Sequence, residues 1–312
     1  MEPTTKKAVT MRFSFWPAPT HTFEETRQLA EHVESKGWDG LWLADHFMPN
    51  AEDTSAAWPE AWTTLAAIAA SVPRLRLGTL VTGNTYRHPA VLAKMAATVD
   101  HISGGRLVLG LGSGWQENEH DKYGIEFGTI GERLEKLDEA CQIIKGLFSE
   151  ASTSFSGKYY TITDAPLEPK PAQSLLPLLI GGGGEKVTLR ITAQYADEWN
   201  VWGNVAELTY KMKILDGHCA DLGRNPSDIQ RSAVVLVFIT DDANFAAKMN
   251  ASTDRPPKIA GTVSELRDIM RAYKDAGVNE FIFPDFTLGP GVTPQKLDTL
   301  DQFIEDIAPA GR

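Results

Sequence analysis

Two polar residues that could carry proton chemistry end an apolar run. The segment 37–47, GWDGLWLADHF, is apolar through Leu41–Ala44 and then ends on Asp45 and His46. Buried parallel strands are near-continuous apolar runs, and α/β folds place chemistry at the carboxyl ends of such strands. Because an imidazole exchanges a proton near neutral pH, His46 is a candidate general acid or base, with Asp45 as a second candidate catalytic residue. A histidine that only satisfies a strand end is the competing interpretation.

A run of four glycines is the most specific anion-binding signal in the chain. Gly181, Gly182, Gly183 and Gly184 follow an apolar run and precede a helix-like segment. Backbone N–H groups of such a run can surround a phosphate, and the helix that follows adds its positive end. A plain tight turn needs fewer glycines, so we predict a phosphate site. The glycines of segment 110–114 permit two interpretations, either the close approach of a planar ring or tight packing inside the fold.

Other catalytic motifs fit poorly. The segment GLGSGW puts Trp115 in the third glycine place of a dinucleotide fingerprint, and Ser113 lacks the glycine frame of a nucleophile elbow. No Gly-Lys-Ser/Thr follows a glycine run, which excludes the Walker A motif. Four residues could in principle converge on a metal, but the histidine and carboxylate series of metal-dependent barrels is missing, and we predict no metal. These four are His46, His88, Glu119 and His120.

The segments that position these residues alternate between strand-like and helix-like. Strands are predicted at 11–17, 41–44, 75–82, 106–112, 178–180, 198–202, 232–240 and 281–283. Helices are predicted at 22–36, 58–72, 88–102, 132–148, from 185, from 205, at 262–276 and from 293, with a hairpin and loop inserted at 154–177. Eight strands alternating with helices favour a single (β/α)8 TIM barrel. We predict that residues 11–312 form this one domain after a flexible tail, residues 1–10.

Composition limits the class of protein. The 30 basic and 41 acidic residues give a net charge of 30 − 41 = −11, which disfavours nucleic acid as a partner. No apolar run is long enough to span a membrane, and the N-terminus lacks the apolar core of a signal peptide, so we expect a cytoplasmic protein. Cys141 and Cys219 are interpreted as buried small apolar residues. The predicted strand ends are rich in aromatic residues, and Trp16, Trp115 and Trp202 are the expected substrate pocket.

Longer segments resemble a known family. The sequences RLGTLVTGNTYRHPAVLAKMAATVDHISGGRLVLGLGSGWQENEHDKYG, GWDGLWLADHF, LPLLIGGGGEKVTLRITAQYADEWNVWG and GTVSELRDIMRAYKDAGVNEFIF resemble the bacterial luciferase-like superfamily of flavin and deazaflavin barrels. The similarity runs from about Arg12 to the C-terminus. It is greatest to coenzyme F420-dependent oxidoreductases, with FMN-dependent monooxygenases as close relatives.

The resemblance implies roles for individual residues. Asp45 and His46 would flank the redox face of the cofactor ring, and His46 would donate or accept the proton. Leu80-Val81 would match a strand-three bulge, often a non-proline cis peptide, that presses on the back of the ring. The resemblance places the cofactor against Leu80, Val81, Thr82, Gly83, Asn118, Gly181, Gly182, Gly183 and Gly184. Ser113 and Asn84 differ from the acid and threonine of the family's sugar-phosphate dehydrogenases, which argues against that substrate.

Three functions follow from the resemblance. The first is hydride transfer between F420 and a small organic substrate, and the second is an FMN-dependent monooxygenase that uses reduced flavin and O2. The third is a non-catalytic cofactor-binding protein. A basic lining for the polyglutamyl tail of F420 would separate the first two, and its candidates are Lys158, Lys170, Lys186 and Arg190. The family also suggests a homodimer that receives reduced cofactor from an F420 or flavin reductase.

Overall fold

A closed barrel of eight parallel strands forms the centre of the molecule. The computed structural model describes residues 10–312, and the strands close in the order β1-β12-β9-β8-β7-β4-β3-β2. They are β1 Arg12–Trp16, β2 Gly40–Asp45, β3 Arg76–Gly83, β4 Leu107–Gly112, β7 Leu178–Gly181, β8 Glu198–Trp202, β9 Gln230–Val234 and β12 Glu280–Pro284. Helices connect successive barrel strands, so the predicted (β/α)8 TIM barrel is confirmed.

Ten α-helices are assigned within residues 10–312. They are α1 Phe23–Ser35, α2 Ala61–Ser71, α3 Pro89–Ser103, α4 Glu117–Tyr123, α5 Ile130–Ser149, α6 Thr188–Tyr195, α7 Val205–Asp221, α8 Ala243–Asn250, α9 Val263–Asp275 and α10 Pro294–Gln302. An antiparallel pair, β5 Thr153–Ser156 and β6 Thr161–Ala165, forms the predicted inserted hairpin. None of the helices in this described range combines the length and apolarity needed to cross a membrane.

Local sequence signals explain several helix starts. At α1, Thr22 accepts a hydrogen bond from the Glu25 N–H, and the Glu25 carboxylate accepts one from the Thr22 N–H, as the capping-box pattern predicts. Helices α5, α7 and α9 begin with the same reciprocal arrangement. The turns before β2 and β12 both contain a glycine with positive φ, Gly37 at 80° and Gly277 at 95°. That shared conformation accounts for the sequence similarity between these two βα units.

Three predicted boundaries were wrong. The apolar run 232–240 is not one strand, because the chain leaves the barrel at Val235 and its second half, β10 Leu236–Ile239, pairs with β11 Lys258–Gly261 outside the barrel. The helix predicted from Glu185 begins at Thr188 instead. The carbonyl of Glu185 accepts a hydrogen bond from His218 Nε2 at 2.7 Å and its carboxylate pairs with Lys211. The helix predicted at 58–72 begins at Ala61, after the N-cap Glu60.

Two apolar layers hold the barrel together. The larger layer packs the outer face of the strands against the helices and includes Phe281 and Phe303, whose rings stack 5.8 Å apart. A smaller cluster fills the inside of the barrel and includes Trp42, Val108 and Leu179. Full burial of such side chains stabilises a fold by about 1.5–3 kcal/mol each. Because this cluster fills the inside of the barrel, only the two ends are left open.

Charged side chains close the N-terminal end of the barrel. Glu280 is buried and accepts hydrogen bonds from Arg12 Nη2 at 3.0 Å and Arg76 Nη1 at 3.1 Å. It also accepts from Ser14 Oγ at 2.6 Å and from Trp42 Nε1 at 2.9 Å. Arg76 reaches across the barrel to Glu198 on β8 as well. We call these charged residues, Arg12, Arg76, Glu198 and Glu280, the basal ion cluster.

The predicted tail, residues 1–10, lies outside the described residues except for its last residue. The cytoplasmic location inferred partly from that tail therefore stays a prediction, as does the assignment of residues 11–312 to one domain.

Candidate active site

His46 lies directly after β2, at the C-terminal end of the barrel, which we call the mouth. Its Nδ1 lies 2.8 Å from Glu119 Oε1, and Glu119 is fully buried near the start of α4. A carboxylate only accepts hydrogen bonds, so Nδ1 carries the proton in this pair. In the neutral imidazole, Nε2 is then the atom with a free lone pair. It has no hydrogen-bond partner within residues 10–312, and the side chain is 15% exposed.

Three donors hold the Glu119 carboxylate in place. Besides His46, the backbone N–H of Phe47 donates to Oε2 at 2.8 Å, and the Tyr86 hydroxyl donates to Oε1. Burial by itself raises the pKa of Glu119, but the hydrogen bonds from His46, Phe47 and Tyr86 outweigh it and hold the pKa below its ordinary value. Burial and the neighbouring Glu119 charge raise the pKa of Tyr86. Glu119 is therefore an ionised group that fixes the tautomer and the orientation of His46.

Asp45 lies next to His46 in sequence, but its side chain contacts a different residue. It is fully buried, and Arg87 binds its two oxygens at 2.6 and 3.2 Å while also reaching Glu60 at 2.6 Å. Burial raises the pKa of Asp45, and Arg87 partly offsets this. The Asp45 carboxylate is thus already occupied, and the geometry favours a positioning role over the predicted catalytic one.

Strand β3 contributes a bulge to the mouth. The Leu80-Val81 peptide is cis, as the resemblance implied, and the pairing of β3 with both neighbours shifts register around it. A Cβ on Gly112 or Gly181 would lie 2.8 Å from the Val81 side chain. A Cβ on Gly110 would lie 1.8 Å from the Thr79 carbonyl oxygen, so this glycine is required by packing. We call Val81 with Gly110, Gly112 and Gly181 the glycine shelf.

Thr82 and Gly83, two residues predicted to contact the cofactor, make contacts within the barrel wall. The Thr82 hydroxyl is fully buried, accepts from Trp62 Nε1 at 2.9 Å and donates to Thr79 at 3.1 Å. A Cβ on Gly83 would meet the Tyr86 ring at 2.6 Å, so Gly83 makes room for the side chain that supports Glu119. Contact of Thr82 and Gly83 with the cofactor stays a prediction.

The glycine run after β7 forms an open turn before α6. Gly182 has φ of 131°, a conformation that L side chains rarely adopt, and its N–H donates to the Asn200 carbonyl at 3.0 Å. Lys211 Nζ donates to the Gly183 carbonyl at 2.9 Å. No side chain caps the start of α6, where Val187 is the N-cap. The Lys211 ammonium also pairs with Glu185. The turn therefore places uncapped N–H groups beside a backbone without side chains, which suits a phosphate.

Aromatic rings line the opposite side of the mouth. Trp16, at the end of β1, lies 5.7 Å from the Trp202 ring and 5.1 Å from Phe286, measured between ring centroids. We call these three residues the aromatic wall. Trp115 is separate from this wall. Its ring is 62% exposed and meets the His46 ring edge to face at 5.3 Å. The predicted pocket residues thus stand on two sides of His46.

Several buried polar atoms of the loops around the mouth lack a partner. Asn118 donates to the Pro49 carbonyl at 3.0 Å through Nδ2, but its Oδ1 is unpaired within the described chain. Asn84 Oδ1 and Trp16 Nε1 are likewise unpaired there. A buried polar atom without a hydrogen bond costs roughly 1–3 kcal/mol, which a ligand would recover by pairing with it.

The other candidate metal ligands point elsewhere. His120 is buried, with Nδ1 2.7 Å from the Gln116 carbonyl and Nε2 2.7 Å from the Thr85 hydroxyl. His88 caps α3 by accepting from the Ala90 N–H at 3.2 Å. Only His46 and Glu119 meet, and residues 10–312 contain no cluster of three or more His, Cys, Asp or Glu side chains arranged for a metal ion.

Three of the four predicted tail-binding residues line one cavity. Lys158, Lys186 and Arg190 border a cavity of about 510 Å³ between α5, the inserted hairpin and α6. Three acidic residues border it too. The Glu139 carboxylate accepts the backbone N–H groups of residues 158–160, Glu135 pairs with Lys158, and Asp138 accepts from Gln142 Nε2 at 2.8 Å. Lys170 lies outside this cavity and bonds the Leu147 carbonyl at 2.8 Å, so the cavity gives no support to its predicted role.

Sequence reasoning missed Tyr86 and Phe286 and assigned Glu119 only to a rejected metal site. Glu119 and His46 are 73 positions apart, and no local motif connects them. The position of Glu119 in the loop after a barrel strand was the one usable signal, because such loops converge at the mouth.

A barrel with an oriented imidazole, a glycine-rich anion turn and unpaired polar atoms at its mouth is typical of the cofactor-dependent TIM-barrel enzymes. Comparison with known proteins defines the group more narrowly. Residues 8–254 match the luciferase-like monooxygenase family. The chain belongs to this family and is an oxidoreductase.

Individual relatives cover nearly the whole chain. The F420-dependent glucose-6-phosphate dehydrogenase of Kineococcus radiotolerans is 38% identical, over 90% of this chain and 90% of the relative. The pyrimidine monooxygenase RutA of Pseudomonas syringae is 28% identical, over 83% of this chain and 72% of the relative. An F420-dependent secondary alcohol dehydrogenase, solved with an F420-acetone adduct, has a TM-score of 0.82 at 21% identity, covering 97% of this chain and 99% of that one. At this identity, the last comparison shows the fold alone.

Proposed function

We propose that the protein is an F420-dependent oxidoreductase that exchanges a hydride with a small organic substrate. The observation that carries the proposal is the His46–Glu119 pair, which leaves Nε2 of an oriented imidazole open at the mouth. The relatives named as F420-dependent dehydrogenases support the choice of cofactor.

The residues at the mouth fit such a cofactor. Gly182, Gly183 and Gly184, with the uncapped start of α6, suit its phosphate. Gly112 and Gly181 of the glycine shelf leave room for the half-buried Val81 side chain, which can contact a ring. The unpaired oxygens of Asn84 and Asn118 are acceptors for N–H or O–H groups of the ring or its side chain. When bound, the deazaflavin supplies two-electron hydride chemistry.

The protein's own residues accept and donate the proton of the reaction. With Nδ1–H bound to Glu119, His46 presents Nε2 as a base when neutral and as an acid when protonated. Glu119 holds the Nδ1–H of His46 through a hydrogen bond at 2.8 Å and so fixes the orientation of Nε2. Asp45 and Arg87 hold the backbone next to His46, since their ion pair joins β2 to the loop after β3. These contacts position the imidazole before any substrate arrives.

Two cations beside the phosphate turn support F420 over FMN. Only F420 carries a polyglutamyl tail. Arg190 lies on α6, and Lys186 lies in the turn that precedes this helix. Neither has an ion-pair partner within residues 10–312, whereas Lys158 pairs with Glu135 at 2.7 Å. Two free cations beside the phosphate turn can receive carboxylates of the tail.

An FMN-dependent monooxygenase is the second candidate function. The similarity to RutA favours it, and the glycine turn would suit the phosphate of FMN equally well. A non-catalytic cofactor-binding protein is the third candidate, and it leaves the oriented imidazole without a role.

Either catalytic function would need a partner that reduces or reoxidises the cofactor, and an F420 or flavin reductase is the expected one. We keep the cytoplasm as the proposed location.

A homodimer is also part of the proposal. An apolar groove of about 560 Å³ runs between α2, α3 and the inserted hairpin, and its lining includes Ala66, Met95 and Leu167. Val91 and Ile102 on its edge are 54% and 44% exposed. Contiguous exposed apolar surface of this kind marks interaction sites, and a second copy of the chain is the partner that the family suggests.

Side-by-side titration of F420 and FMN tests the proposed cofactor. We expect F420 to bind more tightly at moderate salt, and the double change Lys186→Ala with Arg190→Ala to weaken F420 roughly tenfold while leaving FMN unchanged. Lys170→Ala is the matched control, because it removes a lysine outside the cavity. Binding of FMN with no binding of F420 would overturn the leading function and favour the monooxygenase.

A further inference from the structure

We infer that Asp285 is a positioning residue for the aromatic wall, which contains two of the three tryptophans predicted to line the substrate pocket. It acts together with His21 and Lys296, and we call these three residues the wall clamp. The inference rests on the proposed function only in treating the wall as the substrate side of the mouth. It is carried by the contacts of Asp285 with both loops of the wall, by the burial of the clamp, and by the single hydrogen bond that otherwise holds the segment of Phe286.

Asp285 fixes the backbone of the loop after β1. It is fully buried and follows β12 directly. Its N–H donates to the Trp16 carbonyl at 3.1 Å, and its Oδ1 accepts from the Ala18 N–H at 2.6 Å. Because these two contacts lie on either side of Pro17, the direction in which the chain leaves β1 depends on one residue that follows the neighbouring strand.

The second oxygen of Asp285 joins the loop after β12 to two more segments. Oδ2 lies 2.7 Å from Lys296 Nζ, in the first turn of α10, and 2.9 Å from His21 Nε2, directly before the N-cap of α1. The ammonium and the imidazole are themselves 3.1 Å apart. The Glu25 carboxylate on α1 lies 3.9 Å from His21 Nδ1. All three residues of the clamp are buried, where hydrogen bonds are stronger than in water.

A buried ion pair is an expensive way to join two loops. The side chains of Asp285 and Lys296 are both fully buried, and apolar side chains of the same volume often stabilise a fold as well or better. The pair differs from apolar packing in one respect, since its hydrogen bonds fix directions as well as distances. We therefore attribute to the clamp the placement of the aromatic side chains next to it.

Phe286, the residue after Asp285, has one hydrogen-bonded anchor. Within residues 10–312 the segment 286–292 makes a single hydrogen bond, from the Leu288 N–H to the Asp285 carbonyl at 2.9 Å. Leu288 also packs against the larger apolar layer. The Phe286 ring lies 5.1 Å from the Trp16 ring and is partly exposed at the mouth. Asp285 therefore holds both neighbours in this contact, one through its backbone bond and one through its hydrogen bonds.

The clamp is separate from the other parts of the mouth. The glycine shelf and the phosphate turn belong to β3, β4 and β7, whereas the clamp joins the residues after β1 and β12. In the part of the chain that the structure describes, neither His46 nor Glu119 is hydrogen-bonded to a member of the clamp. A change in the clamp should therefore alter the substrate side and leave cofactor affinity and the proposed base unaffected.

Two double variants that differ in one side chain test the inference. In both, Lys296→Met removes the ammonium, so that no unpaired charge stays buried. Asp285→Asn keeps an oxygen for the Ala18 N–H and can donate to His21, whereas Asp285→Leu has a similar shape and makes neither contact. Denaturant melts establish first that each protein is folded.

The direct readout is fluorine NMR of protein labelled with fluorotryptophan. The chain contains eight tryptophans, and replacing Trp16, Trp202 and Trp62 by phenylalanine in turn assigns their resonances. We expect the leucine double variant to displace the Trp16 and Trp202 resonances and the asparagine double variant to leave them near their wild-type positions. Trp62, whose Nε1 donates to Thr82 on β3 at 2.9 Å, is the internal control and should not move. Wall resonances that stay in place in the leucine double variant, or that move equally in both, would overturn the inference.

Steady-state kinetics with F420 give the functional readout. With the best substrate, KM of the leucine double variant should exceed that of the asparagine double variant about three- to tenfold, while kcat stays within about twofold. A lower kcat with unchanged KM would overturn the inference, because the clamp would then act on the base or the cofactor. F420 affinity, measured by titration, should not differ among the three proteins. Failure of the wild type to bind F420 would overturn the proposed function, and the fluorine spectra would still test the clamp.

A milder variant serves if the leucine double variant does not fold. His21→Leu removes one contact of Asp285 and leaves the ion pair with Lys296. It should displace the Trp16 and Trp202 resonances in the same direction by a smaller amount. Resonances identical to those of the wild type would overturn the inference.

Discussion

The basal ion cluster and the loops of the mouth treat buried polar groups differently. At the N-terminal end, Glu280 accepts hydrogen bonds from two arginines, a serine and a tryptophan, and the side chains named in the basal ion cluster are all paired. At the mouth, Trp16 Nε1, Asn84 Oδ1 and Asn118 Oδ1 are buried without partners within residues 10–312. Paired groups stabilise a fold, whereas unpaired ones weaken it until a ligand binds. The difference separates a cluster that stabilises the barrel from side chains that a ligand can pair with.

The pKa directions follow the same division. In the basal ion cluster burial raises the pKa of Glu280, but Arg76 and Arg12 outweigh it and lower the pKa below its ordinary value. Burial dominates at Glu198, whose pKa is raised despite Arg76 because the charge of Glu280 adds to the effect of burial. At the mouth Asp45 pairs with Arg87, and the Glu119 carboxylate is held ionised by neutral donors and one imidazole. The basal cluster balances charges internally, whereas Glu119 orients the His46 imidazole.

The largest expected effect is at the mouth. His46→Ala should lower turnover of the best substrate by ~10²–10⁴, the usual contribution of a general acid or base. F420 affinity should stay within about tenfold of the unchanged protein, since one hydrogen bond at most is lost. Steady-state kinetics, an F420 titration and a melting curve on one preparation separate the cases. Unchanged turnover would remove His46 from the mechanism, and early melting with normal specific activity would make it structural.

The basal ion cluster should show the reverse result. Glu280→Gln should lower the free energy of unfolding by about 3–5 kcal/mol, because it leaves buried guanidinium groups without their carboxylate. Specific activity per folded molecule should not change. Denaturant melts test this, with Glu24→Gln as a control that breaks an exposed ion pair with Arg27 and should leave the midpoint where it is. A loss of activity in the folded Glu280→Gln protein would contradict the division between the two ends.

Glu119→Gln should reduce turnover ~10- to 100-fold, the worth of a hydrogen bond to a charged group. Its stability effect should depend on pH. The folded pKa of Glu119 lies below its ordinary value of 4.5, so its stabilisation is complete above that pH and is lost as pH falls through the folded value. The difference in unfolding free energy between wild type and variant should therefore be largest near neutral pH and shrink in acid. A difference that grows in acid would refute the assignment of Glu119 as the ionised partner.

The phosphate turn should affect binding more than folding. Gly183→Val should weaken F420 binding roughly tenfold or more, since a branched side chain would intrude on the anion's space. Its Cβ would meet Val201 at 3.1 Å and the Lys211 side chain at 3.7 Å. Gly217→Val, in a helix where a Cβ meets nothing within 4 Å, controls for the substitution itself. An equal loss of thermal stability in the absence of cofactor would show that the glycines are structural.

The sequence predicted features that local chemistry determines. The helix start at Thr22, the run Leu41–Ala44 as a barrel strand and the turn at Gly181–Gly184 were all foreseeable, because capping, apolar patterning and glycine conformations act over a few residues. The cis peptide at Leu80-Val81 came from family resemblance. The departure of the chain from the barrel at Val235 was not foreseeable, since an apolar run does not show where a strand changes its partner.

Contacts between residues far apart in the sequence were the main feature of the site that sequence reasoning missed. Asp45 was chosen for its place beside His46, yet a strand directs successive side chains to opposite faces, and Asp45 turns to Arg87 while His46 turns to Glu119. Tyr86 was missed because its role depends on the space left by Gly83, a contact that only the folded chain shows. Sequence reasoning located the mouth and the imidazole that we propose as its base, and the folded structure supplied the residues that orient this imidazole.

A double-mutant cycle on His46 and Glu119 tests the central claim most directly. If Glu119 acts only through the imidazole, it has no effect once the imidazole is gone. The double variant His46→Ala with Glu119→Gln should therefore turn over the substrate as fast as His46→Ala alone. The measurement is kcat/KM for the four proteins at saturating F420, with melting curves to confirm that each is folded. Rates that multiply, so that Glu119→Gln costs the same factor with and without His46, would contradict the account.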